Sequence, residues 1–246
     1  MSATRRALLL SALALPLAAC TAGGQDREGA SPAPQDTTDR TGTAMSTDAP
    51  TTALLDAART GETEAARAAL ADGADLDGRD GDGRTALLLA TRADHVELAL
   101  LLLEDGADPD AKDDIQDSAF LYAGAEGRDE ILSAAIAHGA DVRSTNRYGG
   151  TALIPASEHG HTSTVAILLE AGVPVDHVNN LGWTALHEAI VLGDGGPDQV
   201  ETVRLLLAGG ADPSIPDGNG TSPRDLAAQR GFDEIVALLE DAEDRA

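Results

Sequence analysis

Small and hydrophobic residues return at a fixed interval along this chain, from about residue 51 onward. In steps of 33, 33, 33 and 38 residues, a glycine recurs at Gly73, Gly106, Gly139, Gly172 and Gly210. Twelve positions after each glycine comes a hydroxyl residue, at Thr85, Ser118, Thr151, Thr184 and Ser222. Two independent marks that keep one register predict an internal repeat, in which each unit is one supersecondary element.

Each unit is predicted to contain an inner and an outer helix. The hydroxyl residue begins the inner helix, because its oxygen can accept a hydrogen bond from a free backbone N–H. The recurring glycine ends the outer helix, because it can adopt the left-handed conformation without strain. Leucines such as Leu101, Leu168 and Leu206 are predicted to fill the gaps between units. Where neighbouring inner helices must approach closely, one equivalent position is always alanine: Ala57, Ala90, Ala123, Ala156, Ala189 and Ala227.

Two stretches of sequence identify the type of repeat. GWTALHEA at residues 182–189 and LLLEDGADP at residues 101–109 resemble the two halves of an ankyrin repeat. The resemblance covers about residues 51–240 and is highly specific. It implies an all-α repeat fold for residues 51–246, an ankyrin solenoid of about six helix-turn-helix units with short β-hairpin loops. The first unit lacks a hairpin of its own and is interpreted as an N-terminal cap.

Three departures from the repeat predict local differences. Pro155 lies within the inner helix of the fourth unit and removes a backbone donor, so that helix should be short or kinked. Gln116 replaces the hairpin glycine present at Gly83 and Gly149. Five extra residues, 194–198, predict a longer loop between the helices of the fifth unit, which is either a contact or neutral drift.

The first fifty residues predict export and tethering. Arg5 and Arg6 precede an uncharged run that is too short to span a bilayer, so residues 1–19 are predicted to be a signal peptide. The run ends in Leu-Ala-Ala-Cys, which resembles the lipobox of bacterial lipoproteins and implies lipidation of Cys20. Residues 20–50 have almost no large apolar side chain and are predicted to form a flexible, lipid-anchored tether. The predicted location is extracytoplasmic, anchored to the bacterial cell membrane.

Three alternatives at this end of the chain stay open. Residues 1–19 could be an ordinary signal peptide in which Cys20 stands by chance near the cleavage site. Translation from Met45 would produce a cytosolic protein instead. The pair Arg5-Arg6 also resembles a twin-arginine signal, so the export route is left undecided.

Composition excludes several classes of function. The net charge of -25 disfavours nucleic acid and anionic lipid as partners, since both attract Lys and Arg. The single cysteine excludes an intramolecular disulfide and a cysteine zinc cluster.

No set of residues with catalytic spacing is found. His187-Glu188 begins like a zinc-protease motif, but Val191 stands where the second histidine is required. His159 and His161 lack an evident third ligand. The aspartates between Asp75 and Asp82 lack the glycine and glutamate of a calcium loop. We therefore predict no enzyme, no catalytic residue, no cofactor and no metal.

The resemblance implies a binding surface. In ankyrin proteins the hairpin tips and the exposed face of the inner helices line a concave groove that contacts a protein partner. By register, the equivalent residues selected as partner-binding are Arg84, Ile115, Asp117, Tyr122, Tyr148, Leu181, Trp183 and Glu188. The selection holds the tryptophan and both tyrosines, which are frequent interface anchors. In a competing interpretation, Trp183 and Leu181 pack on neighbouring hairpins and stiffen the stack.

The predicted function is therefore a protein-binding module. The partner is a protein of unknown identity, the membrane is contacted through the lipid anchor alone, and the chain is expected to be a monomer. The alternative is a chaperone-like or protective stress protein without one fixed partner.

Overall fold

Residues 48–245 are described by a computed structural model of the protein. The predicted signal peptide, Cys20 and nearly all of the predicted tether lie outside the described residues. The twelve helices of the described part are α1 (Ala49–Thr60), α2 (Thr63–Ala71), α3 (Ala86–Arg92), α4 (Val96–Glu104), α5 (Ala119–Ala125), α6 (Asp129–Ala137), α7 (Leu153–Glu158), α8 (Thr162–Glu170), α9 (Ala185–Val191), α10 (Pro197–Ala208), α11 (Pro223–Arg230) and α12 (Asp233–Glu243).

The helices stack as six antiparallel pairs, here called units 1 to 6 in chain order. Each odd-numbered helix packs against the next odd-numbered helix, from α1 through α11, and forms the inner layer. Each even-numbered helix packs likewise on the next even-numbered helix and forms the outer layer. This arrangement confirms the predicted all-α solenoid of six units. The segments between units are turns, with an isolated antiparallel bridge between Arg79 and Thr85.

The inner layer is packed through alanine. All six alanines of the equivalent position are buried, at 0–3% exposure, as the spacing predicted. Gly124 shows how tight this layer is, because a Cβ added there would lie 2.7 Å from the Cβ of Ala152. Leu168 and Leu206 are fully buried between the layers. The hydrophobic core is therefore continuous from unit to unit and belongs to none of them alone.

Four of the five hydroxyl residues at the repeat position cap their inner helices as predicted. Thr85, Ser118 and Ser222 accept hydrogen bonds from the backbone N–H three residues later. Thr184 forms a capping box with His187. Thr151 is the exception, because the N–H of Ile154 donates to the backbone oxygen of Thr151 instead of its hydroxyl. Pro155 follows at once, and α7 is the shortest helix described, at six residues.

The turns at the unit junctions follow the predicted backbone geometry. Each of the five recurring glycines has a φ between 81° and 96°, in the left-handed region. Gln116 has a φ of 68° at the position that Gly83 and Gly149 occupy in other units. A glutamine therefore adopts a conformation that favours glycine, and the protein carries local strain at this tip.

Asp and Asn side chains fix the shape of the hairpin tips. One oxygen of each of these side chains accepts hydrogen bonds from two backbone N–H groups, two and four residues later. The five residues that do this are Asp80, Asp113, Asn146, Asn179 and Asp217. The tips also bond to one another, since the N–H of Asn180 donates to the oxygen of Tyr148 at 2.9 Å. These contacts hold the tip side chains at defined positions along one surface.

Candidate partner-binding groove

A cavity of about 510 Å³ lies on the inner-helix side of units 3 to 5. Helices α5, α7 and α9 form its floor, and its rim is formed by the tips that precede them and by Arg92, the last residue of α3, with Tyr122 beneath it. We call it the central groove. Residues from all three units line it, so its shape depends on how the units are stacked rather than on any single helix pair.

The rim of the central groove is built from alternating charged and aromatic side chains. The guanidinium of Arg92 lies 4.6 Å from the ring centroid of Tyr122, and that of Arg147 lies 4.7 Å from the ring centroid of Tyr148. Both guanidiniums face Asp117, with N–O distances of 3.8 Å and 3.6 Å. Cation–π contact and ion pairing together restrict both rings before any partner arrives.

Asp117 is the charge shared by these two arginines. Burial raises the pKa of Asp117, and the positive charges of Arg147 and Arg92 oppose that shift. Asp117 is thus held between two cationic side chains, while Asp113 and Glu126 add negative charge nearby.

Glu188 lies at the other end of the central groove and is almost fully buried, at 5% exposure. Its Oε1 accepts a hydrogen bond of 2.9 Å from Nδ2 of Asn179. Burial raises the pKa of Glu188 to about 7, and the negative charge of Glu158 adds to the shift. The Asn179 bond and His159 oppose it. A carboxyl group that titrates near neutral pH inside a cavity marks this end as a candidate site.

Within residues 48–245, no group of three His, Cys, Asp or Glu side chains is placed to hold a metal ion. The rings of His159 and His161 meet edge to face, with centroids 5.5 Å apart. No helix in that range combines the length and the apolar character needed to cross a bilayer.

A family model matches more than half of the chain. The model is described as ankyrin repeats in three copies, and it matches residues 35–113 and 120–217. The chain belongs to the ankyrin-repeat family. Ankyrin repeats generally mediate protein interactions, and proteins built from them are typically non-enzymatic scaffolds.

Solved ankyrin structures resemble this chain along most of its length. An ankyrin repeat domain from Acinetobacter baumannii AYE is 51% identical and covers 77% of this chain and 97% of its own, with a TM-score of 0.75. The ankyrin repeat protein EF0377 is 41% identical, with the same coverage and the same TM-score.

A curated relative matches a shorter stretch. The ankyrin repeat protein YahD of Escherichia coli (strain K12) is 54% identical over 52 residues, or 21% of this chain. The match spans about a quarter of YahD, 26% of its length.

The central groove gathers most of the residues selected from the sequence. Six of the eight line it: Ile115, Asp117, Tyr122, Tyr148, Leu181 and Glu188. Arg84 lies outside it and pairs instead with Asp80 and Asp82 of its own tip. Trp183 is half-buried and does not line the cavity. The ankyrin register therefore selected six residues that share one cavity, but it did not predict how far each side chain reaches.

Several residues of the central groove were not selected from the sequence. Arg147, Glu158 and Asn179 line the cavity. Arg147 and Asn179 lie within two residues of selected tip residues, so they could have been selected from their positions in the sequence. Glu158 is the last residue of α7, and no pattern in the sequence indicated that this short helix would bring a carboxylate near Glu188.

His187 has a structural role in this ankyrin repeat. The N–H of Thr184 donates to Nδ1 of His187 at 3.1 Å, which closes the capping box of α9. The ring is fully buried, and burial lowers the pKa of His187, against the influence of Asp217. Burial therefore favours the neutral imidazole, and the capping box gives His187 a place in the repeat fold rather than in the zinc-protease motif that His187-Glu188 resembles at its start.

Proposed function

We propose that this ankyrin protein is exported, is tethered to the membrane through Cys20, and holds a protein partner in its central groove. The partner contacts the tips and inner helices of units 3 to 5. The eight residues selected from the sequence remain the proposed contact residues, and two of them, Arg84 and Trp183, lie outside the central groove.

The observation that carries this proposal is a concentration of exposed hydrophobic side chains. Five large hydrophobic residues are exposed within residues 48–245, and four of them line the central groove. Those four are Ile115, Tyr148, Leu181 and Leu192, at 42–57% exposure. The fifth is Val178, outside the groove. Exposed apolar patches rimmed by polar residues are typical of protein interaction sites.

The rigidity of the rim supports the same function. Tyr122 and Tyr148 are each held by an arginine, so a partner that binds them loses little side-chain entropy. Tyrosine also combines a large apolar area with a hydroxyl group, which suits a surface that is hydrated in the free protein and dehydrated in the complex.

Two matched variants test the groove. The full chain is used to capture partners from the native organism, and the bound material is quantified by mass spectrometry. Leu181→Ser should reduce the captured partner about tenfold or more, because an exposed anchor residue is removed. Val178→Ser makes the same kind of change three residues earlier, outside the groove, and should leave capture unchanged. Equal capture by both variants, or no stoichiometric partner with the wild type, would contradict the proposed function and favour the chaperone-like alternative.

The tether is tested separately. Support for it comes from Arg5 and Arg6, the apolar run and the Leu-Ala-Ala-Cys sequence at residues 17–20. Intact mass and detergent partitioning of the native membrane fraction should show a diacylglycerol increment on Cys20. Cys20→Ala should release the chain from the membrane. A soluble, unmodified chain that begins at Met1 or Met45 would overturn the export proposal and leave the groove proposal standing.

A further inference from the structure

The two ends of the central groove differ in charge. At one end, Arg92 and Arg147 are paired with Asp117. At the other end, Glu158 and Glu188 line the cavity, and the negative charge of Glu158 acts on the Glu188 carboxyl. Across residues 48–245, neither of these two forms an ion pair with a basic side chain. The acidic end therefore has uncompensated negative charge inside a concave surface.

Glu188 is the buried member of this acidic end. Asn179 bonds to Oε1, but no group in the described part of the chain donates to Oε2. The side chain is about nineteen-twentieths buried, in a residue that lines the cavity. A buried carboxylate is stabilised by a neighbouring cation, and without one its pKa rises and the group takes up a proton.

The remaining walls of the acidic end are largely apolar. Pro155 and Leu192 line the same cavity as the carboxylates. A side chain with a long aliphatic stem and a charged head matches this combination, since the stem can lie on apolar surface while the head reaches the carboxylates. Arginine and lysine have this form. A bare metal ion would leave the apolar walls uncovered.

Resting on the function proposed above, we propose that the acidic end of the central groove is the receptor for a lysine or arginine side chain of the bound protein. The charged head lies between Glu158 and Glu188, and the stem lies against Pro155 and Leu192. The partner thus presents a segment with a basic residue flanked by apolar residues, which cover Tyr148 and Leu181.

Electrostatics at the site agree with this assignment. Helices α7, α10 and α11 pack against α9, and of their charged groups Glu158 and His159 act on the Glu188 carboxyl. Burial and Glu158 together raise the pKa of Glu188, so its negative charge is only partly expressed in the empty groove. A bound cation reverses the effect of Glu158 and completes the ionisation, which favours a cationic ligand over its neutral analogue.

The test uses peptides that differ in charge alone. The full chain, carrying Cys20→Ser to prevent acylation, is labelled with ¹⁵N and titrated with acetyl-Ala-Leu-Arg-Leu-Ala-amide. A second titration uses the peptide in which citrulline, the uncharged analogue, replaces arginine. We expect the arginine peptide to shift the amide signals of Tyr122, Glu158 and Glu188, and to bind about tenfold more tightly than the citrulline peptide or better.

Two variants assign the preference to the groove. Glu188→Gln should reduce the difference between the two peptides, because it removes the buried one of the two charges and keeps the shape. Glu130→Gln, on the exposed surface of the outer helix α6, removes a carboxylate elsewhere and should leave the difference intact. Equal binding of both peptides, or an arginine preference that is the same in Glu188→Gln as in the wild type, would overturn the assignment.

Two other occupants of the central groove, a second copy of the chain and the chain's own tether, would give distinct outcomes. Groove signals that shift on dilution of the chain alone would indicate a second copy, and signals that shift on deletion of residues 21–47 would indicate the chain's own tether. Either result overturns the assignment of a basic partner side chain. The capture experiment with Leu181→Ser stays independent of these results, so the groove can fail as a receptor for cations and still be a protein-binding surface.

Discussion

Nδ2 of Asn179 donates to Oε1 of Glu188 across 2.9 Å, and this bond joins a hairpin tip to the inner helix of the same unit. The tip position is aspartate in three other units, at Asp80, Asp113 and Asp217, and each of those carboxylates accepts the same pair of backbone N–H groups. Asn179 provides the same acceptor and adds a donor. The donor is needed here, because the tip faces a buried carboxyl group.

Asn179→Asp should destabilise the protein at neutral pH by about 1–3 kcal/mol, because it replaces a buried donor with a second acceptor. The loss should shrink at pH 5, where the two carboxyl groups can share a proton. Urea unfolding at both pH values, followed by Trp183 fluorescence, measures it. Asn146→Asp is the matched control, since Pro155 occupies the position equivalent to Glu188 in unit 4. An equal loss from both variants would show that the tip, and not the bond to Glu188, is responsible.

The stability of the protein should depend on the ionisation of Glu188. Its pKa rises from an ordinary 4.5 to about 7 on folding, so the folded state holds a proton between these values that the unfolded state releases. The stabilising effect of that proton is complete below pH 4.5 and is lost as pH rises through 7. Glu188→Gln should therefore gain stability relative to the wild type from pH 5 to pH 8, by up to about 3 kcal/mol. A difference that stays constant over this range would contradict the assignment.

Gln116→Gly should stabilise the protein. Glutamine is strained at a φ of 68°, and glycine relieves about 1 kcal/mol of that strain, less the entropy it adds to the unfolded chain. Thermal and urea unfolding give the value. Ile115→Gly places the same residue at the adjacent tip position, which lacks a positive φ, and should give no gain. A gain from Ile115→Gly as large as that from Gln116→Gly would remove the argument from backbone strain.

Arg230→Ala should loosen the last unit. Nη2 of Arg230 donates to the oxygen of Gly193 at 2.9 Å, and Nη1 donates to the oxygen of Val191, while the guanidinium lies over the ring of Phe232. The loss of these charge-assisted bonds should cost about 1–2 kcal/mol. Hydrogen exchange of the α11 and α12 amides is the measurement that reports it.

Arg224→Ala is the control for that experiment. Arg224 forms a partly exposed ion pair with Glu243, so its removal should cost less than about 1 kcal/mol. Faster exchange in Arg224→Ala than in Arg230→Ala would show that the loop contact is unimportant.

The packing of unit 6 on unit 5 also explains the five extra residues, 194–198, of unit 5. The sequence left open whether this loop makes a contact or is the result of neutral drift. A Cβ added at Gly195 would lie 2.3 Å from the ring of Phe232, so the loop packs directly on unit 6. The insertion therefore has a neighbour within the chain. The sequence could not show this, because the contact depends on where α11 ends.

Most of the fold follows from the period of the sequence, because the same small and hydroxyl residues meet the same neighbours in each unit. The groove was harder to predict. Register alone places Trp183 and Leu181 side by side on a tip, but Leu181 is 57% exposed in the groove and Trp183 is half-buried outside it. The environment of Glu188 depends on a third residue, Glu158, at the end of a helix shortened by Pro155. An environment that depends on three residues cannot be predicted from a periodic sequence pattern.

Because the helix pairs stack in chain order, more units separate Glu188 from the amino end of the protein than from the carboxyl end. Each unit contacts its immediate neighbours, so fraying that starts at a terminus must proceed unit by unit. From the amino end, the four units formed by α1 to α8 must open before α9 is reached. From the carboxyl end, a single pair, α11 and α12, stands in the way. Proteolysis or mechanical force applied at that end would therefore disable the acidic end first, while the arginine end of the groove still stood.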